Sequence, residues 1–270
     1  MSAATLPAAP AVDLAGTRIS AAGVLRSEWT KLWSVRSLWI TLAAAFALVI
    51  GLCGYMIFDG NMLGGDEAGD IPFGFTAIYP VGMLVLVILG VLTVTSEYSS
   101  GTIRGSVVAV PRRTGVLLAK MAVLTAVTAV LAAVTSVLLY LLLQIAGTVP
   151  SAQGLSLFDP AMFWGVLCGT LVLPYGALFG ILLGGLVRNA AAAIALYFGV
   201  FQMGPQIFPA FLPGELAGAV DYMPLAAINV MRAAGLSSEP YGMGTAVVVL
   251  IAWLVALGCS SWWLLKSRDV

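Results

Sequence analysis

The sequence predicts an all-α membrane protein: a polytopic transmembrane helix bundle of six spans with an N-terminal amphipathic interfacial helix and both termini cytoplasmic. Three observations predict it. First, only 9% of the 270 residues are charged, 61% are hydrophobic, and mean hydropathy is +1.04. A soluble domain carries about 25% charged residues, so this chain has too few to face water on all sides. Second, six runs without a charge lie at 37–58, 71–96, 121–158, 160–187, 189–214 and 240–265. Each is at least 22 residues long, and about 20 apolar residues in a helix cross the hydrocarbon core. The runs are continuously apolar, whereas the strands of a membrane barrel alternate. Third, the charges are sorted. With six spans, eleven of the twelve Lys and Arg fall on one side and only Arg232 on the other. Eight of the twelve acids fall opposite the basic side. By the positive-inside rule the basic side, with both termini, is cytoplasmic.

Along the chain, residues 1–23 are rich in Ala and Pro and read as a flexible cytoplasmic tail. Residues 24–37, VLRSEWTKLWSVRS, place Leu25, Trp29, Leu32 and Trp33 at helical spacing. With Glu28, Lys31 and Arg36 they predict a helix lying in the inner interface, its tryptophans at headgroup level. Spans are expected at about 38–58, 76–96, 120–146, 161–187, 190–210 and 245–265. Gln144, Gly147, Pro150 and Gly154 end the third run as an outer loop. Pro174 is expected to kink the fourth span. The turn 187–189 makes the fourth and fifth spans a tight hairpin. Residues 211–244 are half polar and divided by Pro213, Pro224 and Pro240. A short helix within 225–235 would carry Arg232, on the outer surface or dipping back into the membrane.

The inner segment 96–120, SEYSSGTIRGSVVAVPRRTGVLLAK, is the most informative. Glu97 ends a long uncharged run, and Ser99-Ser100-Gly101 breaks the helix. Thr102 caps a short new helix that carries Arg104, and Pro111 stops it. Arg112, Arg113 and Lys120 follow. A carboxylate at the membrane boundary needs a partner, and Arg104, Arg112 and Arg113 are the nearest candidates.

Much chemistry is excluded. The chain has no histidine, which removes His-based triads and general bases and most zinc sites. Cys53, Cys168 and Cys259 stand singly in apolar runs, without metal-ligand spacing. There is no Gly-x-x-x-x-Gly-Lys-Ser/Thr loop, so the chain does not bind ATP in the P-loop manner. No catalytic residue, cofactor or metal is expected, and no nucleic-acid partner. The spans hold almost no ionisable residues, which weighs against a proton- or sodium-coupled transporter.

Two segments resemble a known family. Residues 27–39, SEWTKLWSVRSLW, are similar to the Glu-x-x-Lys-Leu-x-x-x-Arg-Ser segment that precedes the first span of ABC-2 type permeases, the membrane subunits of bacterial ATP-driven exporters. Residues 97–120 are similar to that family's Glu-x-x-x-Gly-Thr-x-Arg segment, followed by Pro-x-Arg and a Lys. The resemblance runs from about residue 24 to the end and implies a permease domain over 24–270. It implies a multi-pass protein of the cytoplasmic (inner or plasma) membrane, paired with itself or a sister permease. Separate ATP-binding subunits would dock on its cytoplasmic face. Residues Glu28, Trp29, Lys31, Trp33 and Arg36 would belong to the family's connecting helix. Glu97, Gly101, Thr102, Arg104, Pro111, Arg112, Arg113 and Lys120 would form the segment that couples to the ATPase. The cargo is unidentified; the apolar spans suit a lipophilic or amphipathic compound. The alternatives are a secondary transporter or channel, and a non-transporting membrane scaffold.

Overall fold

The computed structural model describes residues 20–59, 78–99, 113–148, 153–233 and 240–267. Within them the secondary structure is helical throughout. Helix α1 (Ala21–Ser34) begins where the Ser20 hydroxyl accepts from Gly23 N at 3.1 Å, satisfying one of the orphan donors of a helix start. It ends at Val35, which is extended at φ −92°, ψ 98°. Helix α2 (Arg36–Asp59) starts immediately after. The expected interfacial helix over 24–37 is therefore two pieces, and Arg36 opens the first span instead of closing α1. A break at one residue lets the chain change direction without losing the Val35 N–H, which bonds Lys31 O at 3.2 Å.

Four more long helices follow: α3 (Tyr79–Ser99), α4 (Arg113–Ala146), α5 (Pro160–Val187) and, at the end, α8 (Met243–Ser267). Between α5 and α8 lie α6 (Ala190–Leu196) and α7 (Pro224–Arg232). Among the described residues, six stretches are long and apolar enough to cross a bilayer: Arg36–Asp59, Tyr79–Ser99, Leu117–Ala146, Met162–Val187, Ala190–Ala210 and Met243–Leu264. The protein is a multi-pass helical membrane protein.

The centre of the bundle is the α3–α5 pair. Their spans are 61% and 67% buried, against 28% for the fifth span and 17% for the sixth. The last two therefore leave most of their surface to lipid or to another chain. Between helices in lipid the hydrophobic effect contributes little, so close backbone approach and van der Waals packing must hold them. Gly176, Gly180 and Gly184 recur every fourth residue on α5 and lie against α3. A Cβ on Gly180 would sit 2.1 Å from the Val87 carbonyl oxygen, and one on Gly184 3.0 Å from Val91 Cα. Gly90 of α3 answers from the other side, its Cβ position 2.4 Å from Ala177 O. Nearer the far end, Tyr79 covers Gly169 and shares a hydrogen bond of 3.0 Å with Ser136 of α4. Pro174 sits inside α5, which runs unbroken to Val187.

The turn after α5 is as tight as the sequence predicts. Arg188 takes a left-handed conformation (φ 58°), and Asn189 caps α6 by accepting from Ala192 N at 3.0 Å. The fifth span is not one regular helix. After α6 it widens into a π-helical stretch at Tyr197–Gln202, then breaks into short turns at Gly204–Ile207 and Phe208–Ala210. The wide turn coincides with an aromatic cluster: Phe179 of α5 meets Tyr197 at 5.6 Å and Phe201 at 5.0 Å between ring centroids, and Phe201 meets Trp253 of α8 at 5.3 Å.

The segment 224–233 packs into the bundle. Leu225, Ala227, Ile228, Met231 and Arg232 of α7 are buried, and α7 packs on α5 and α8. Trp253 Nε1 donates to Tyr222 O at 2.8 Å. Trp253 lies ten residues into α8, about 15 Å from its start at 1.5 Å per residue. The short helix carrying Arg232 is thus packed against α5 and α8.

Candidate functional site: a ring of four charges at one end of the bundle

Four charged side chains meet where α1, α3 and α4 converge. Lys31 Nζ lies 2.6 Å from Glu28 Oε1 and 3.4 Å from Glu97 Oε1. Lys120 Nζ lies 2.8 Å from Glu28 Oε2 and 2.9 Å from Glu97 Oε1. The contacts close a ring in which the sign alternates: Lys31, Glu28, Lys120, Glu97 and back to Lys31. Each carboxylate touches two ammonium groups and each ammonium two carboxylates, so no charge in the ring faces only its own kind.

Each helix contributes for a local reason. On α1, Glu28 and Leu32 are four residues apart on one face, and both are buried. Lys31, three residues after Glu28, reaches over the same face. Trp29 and Trp33 point elsewhere and are 45% and 57% exposed. Of the four apolar residues expected to share a face of this helix, only Leu32 is buried; the side that meets the bundle is the one carrying Glu28. On α3, Glu97 comes two residues before the helix ends at Ser99. On α4, Lys120 is in the third turn from Arg113.

Side-chain exposure is 3% for Glu28, 12% for Lys120, 17% for Glu97 and 45% for Lys31. Burial alone would raise the Glu28 carboxyl pKa. The Lys120 ammonium in contact, seconded by Lys31, outweighs it and holds the carboxyl below its usual value. Burial would likewise lower Lys31, but its hydrogen bond to Glu28 and the charge of Glu97 hold it above the usual lysine value. Glu28 and Lys31 are both charged at neutral pH.

The same end of the bundle is tied by Arg188. Its Nη2 donates to Leu264 O at 3.1 Å, and its guanidinium lies 5.3 Å from the centre of the Tyr98 ring. One residue thus joins the ends of α5, α8 and α3 next to Glu97.

The residues singled out from sequence divide into three groups. Glu28, Lys31, Glu97 and Lys120 come together in the ring. Trp29 and Trp33 stand on the exposed side of α1, with ring centroids 5.9 Å apart, and Arg36 starts α2. Gly101, Thr102, Arg104, Pro111 and Arg112 lie outside the described residues, as does the short helix expected there; Arg113 opens α4. The partners of Glu97 among the described residues are Lys120 and Lys31. They lie 23 residues ahead of it and 66 behind; Arg104 and Arg112, expected as its partners together with Arg113, lie outside the described residues. Sequence reasoning missed Glu28 as the buried member. A signal was present: Glu28 and Glu97 are two of only four acids on the basic side, and both lie next to spans.

Residues 24–213 match the model of a family described as "ABC-2 family transporter protein". That stretch is 190 of the 270 residues. The chain belongs to the ABC-2 transporter family. No curated protein matches it. In this ABC-2 protein the matched stretch opens four residues before Glu28 and contains the whole ring and the α3–α5 core. Helices α7 and α8 lie beyond it.

Proposed function

We propose that this ABC-2 protein is the membrane-spanning permease subunit of an ATP-driven exporter of the cytoplasmic membrane, with both termini in the cytoplasm. ATP is bound and hydrolysed by separate subunits, and the permease works as a dimer with itself or a sister chain. The cargo is a lipophilic or amphipathic compound. Membership of the family supports the reading, and one observation carries the mechanism. The ring clamps both ends of the segment 100–112 to α1: Glu97 precedes that segment, Lys120 follows it, and both are held by charges of α1.

The mechanism follows from that clamp. A chain without a nucleotide site must receive its energy by contact. An ATPase that presses on 100–112 moves the end of α3 and the start of α4 together, because ion pairs with little exposure join them. Through Glu28 and Lys31 the same push turns α1. Through the close α3–α5 backbone contact it reaches the core of the bundle. A contiguous path of rigid helices and ion pairs is the physical requirement for such transmission. In this scheme α1 lies in the inner interface with Trp29 and Trp33 among lipid headgroups.

The test is ATP-dependent uptake of a fluorescent lipid analogue into inside-out membrane vesicles that contain the chain and its native partners. Wild-type vesicles should accumulate the probe. Glu97→Ala should insert normally and retain ATP hydrolysis, yet lose most of the uptake. Unchanged uptake in that variant would remove the ring from the mechanism.

A further inference from the structure

Beside the ring a cavity of 480 Å³ opens between α1, α2, α3 and α4. That volume falls in the range of about 300–1,000 Å³ seen for small-molecule sites. We infer that it holds the head and upper chain of a zwitterionic phospholipid with a primary ammonium, of the phosphatidylethanolamine class.

Three features specify that chemistry. Much of the lining is apolar: Leu38 of α2, Leu89 and Leu92 of α3, and Val123 and Leu124 of α4. It suits hydrocarbon. The lining also includes the ring, whose two lysines and two glutamates sum to zero. Its more accessible members are Lys31, at 45% exposure, and Glu97, at 17%. Lys31 and Glu97 meet at 3.4 Å, the longest contact of the ring, so a phosphate beside Lys31 and an ammonium beside Glu97 would replace the weakest of its pairs. The lining adds hydroxyls whose hydrogens are engaged: Ser34 donates to Lys31 O, Thr41 to Ser37 O and Thr93 to Gly90 O. All three line the cavity. Their oxygens present lone pairs to a ligand, so the lining favours a head that donates hydrogen bonds. An ethanolamine ammonium donates three; a choline head donates none.

The depth agrees. The cavity lies at the ends of spans, under α1, where Trp29, Trp33 and Trp39 form a ladder with centroid separations of 5.9 and 4.6 Å. Tryptophans gather at headgroup level. The site needs neither ATPase nor transport, so it stands or falls apart from the function proposed above.

The test uses the purified full chain in phosphatidylcholine nanodiscs doped with a phosphatidylethanolamine that carries a diazirine near the top of one acyl chain. After irradiation, labelled peptides are mapped by mass spectrometry. Label should concentrate on the peptides containing Leu38 and Leu92. Unlabelled phosphatidylethanolamine should displace it about tenfold better than phosphatidylcholine or phosphatidylglycerol, the effect of one charge-assisted hydrogen bond. Leu92→Trp, which fills the cavity, and Lys31→Gln, which removes the phosphate partner, should each lower that label severalfold. Label on the lipid-facing peptide around Leu141 should stay constant. If Leu92→Trp fails to fold, Lys31→Gln decides. Label that follows lipid exposure alone, with no loss in the variants, would overturn the proposal. So would equal displacement by the three lipids.

Discussion

A carboxylate with 3% exposure is costly unless its charge is matched, and Glu28 has two lysines in contact. The members of the ring should therefore differ in weight. Glu28→Gln leaves Lys120 facing Glu97 alone and removes the most buried charge; it should cost about 3 kcal/mol. Lys31→Gln removes the most exposed member and should cost less than about 1 kcal/mol. Thermal melting of the detergent-solubilised chain checks the order, and equal losses would mean that the ring is not organised around Glu28. Titration gives a second check. The folded pKa of Glu28 is depressed, so its contribution is complete above the ordinary carboxyl value of 4.5 and disappears as the pH falls through the lower folded value. The folded pKa of Lys31 is raised, so its contribution is complete below 10.5 and disappears as the pH rises through the higher folded value. The midpoint of melting should be flat between about pH 5 and pH 10 and fall in acid. The acid limb should be shallower in Glu28→Gln, whose side chain does not titrate; an identical limb would assign the acid sensitivity to other carboxylates.

At the scale of elements, the α3–α5 contact makes an equally sharp contrast. A methyl group at Gly180 would meet the Val87 backbone at 2.1 Å, whereas one at Gly185 would find Ser261 Oγ at an ordinary 3.7 Å. Gly180→Ala should separate the helices and cost about 1–3 kcal/mol; Gly185→Ala should be neutral. Melting of the two variants measures this directly. The same elements show what a single sequence reveals. Six apolar helices were legible because each run is long, uncharged and bounded by charges, and lipid permits few other solutions. The two-part structure of residues 21–59 was not, since nothing in the composition around Val35 marks one extended residue. The π-helical stretch in the fifth span was hidden too. Tyr197 and Phe201 suit a regular helix equally well, and the widening accompanies contacts with Phe179 and Trp253 from other helices. The ring was half legible. Glu97 at a membrane edge announces a need for a partner, but Lys120 and Lys31, its partners among the described residues, lie 23 and 66 residues away and are brought to it by packing.

At the scale of the whole molecule, two regions are set apart. One is the charged end, where α1, α3 and α4 are locked and where Arg188 ties α5, α8 and α3. The other is the surface of the fifth and sixth spans, which is little buried and contains the irregular stretch 204–222. On the proposed reading the first receives the push of an ATPase and the second meets the partner permease. Lipid tolerates irregular backbone only under cover, so the second region should be buried in the working assembly. Cysteine placed at Phe211, which is 81% exposed in the single chain, should be protected from a thiol reagent in native membranes and become reactive when the assembly is dissociated in detergent. Reactivity in the membrane equal to that in detergent would deny the partner.

On the proposed reading a separate ATPase energises this ABC-2 protein at its charged end. The most direct measurement is to purify the chain from its native membrane in mild detergent and identify the proteins that come with it by mass spectrometry. A P-loop ATPase should come with the wild type in stoichiometric amount and be lost when Arg104 and Glu97 are replaced together. Recovery of no ATPase, in detergent that preserves the complex, would point instead to a transporter driven without ATP or to a scaffold.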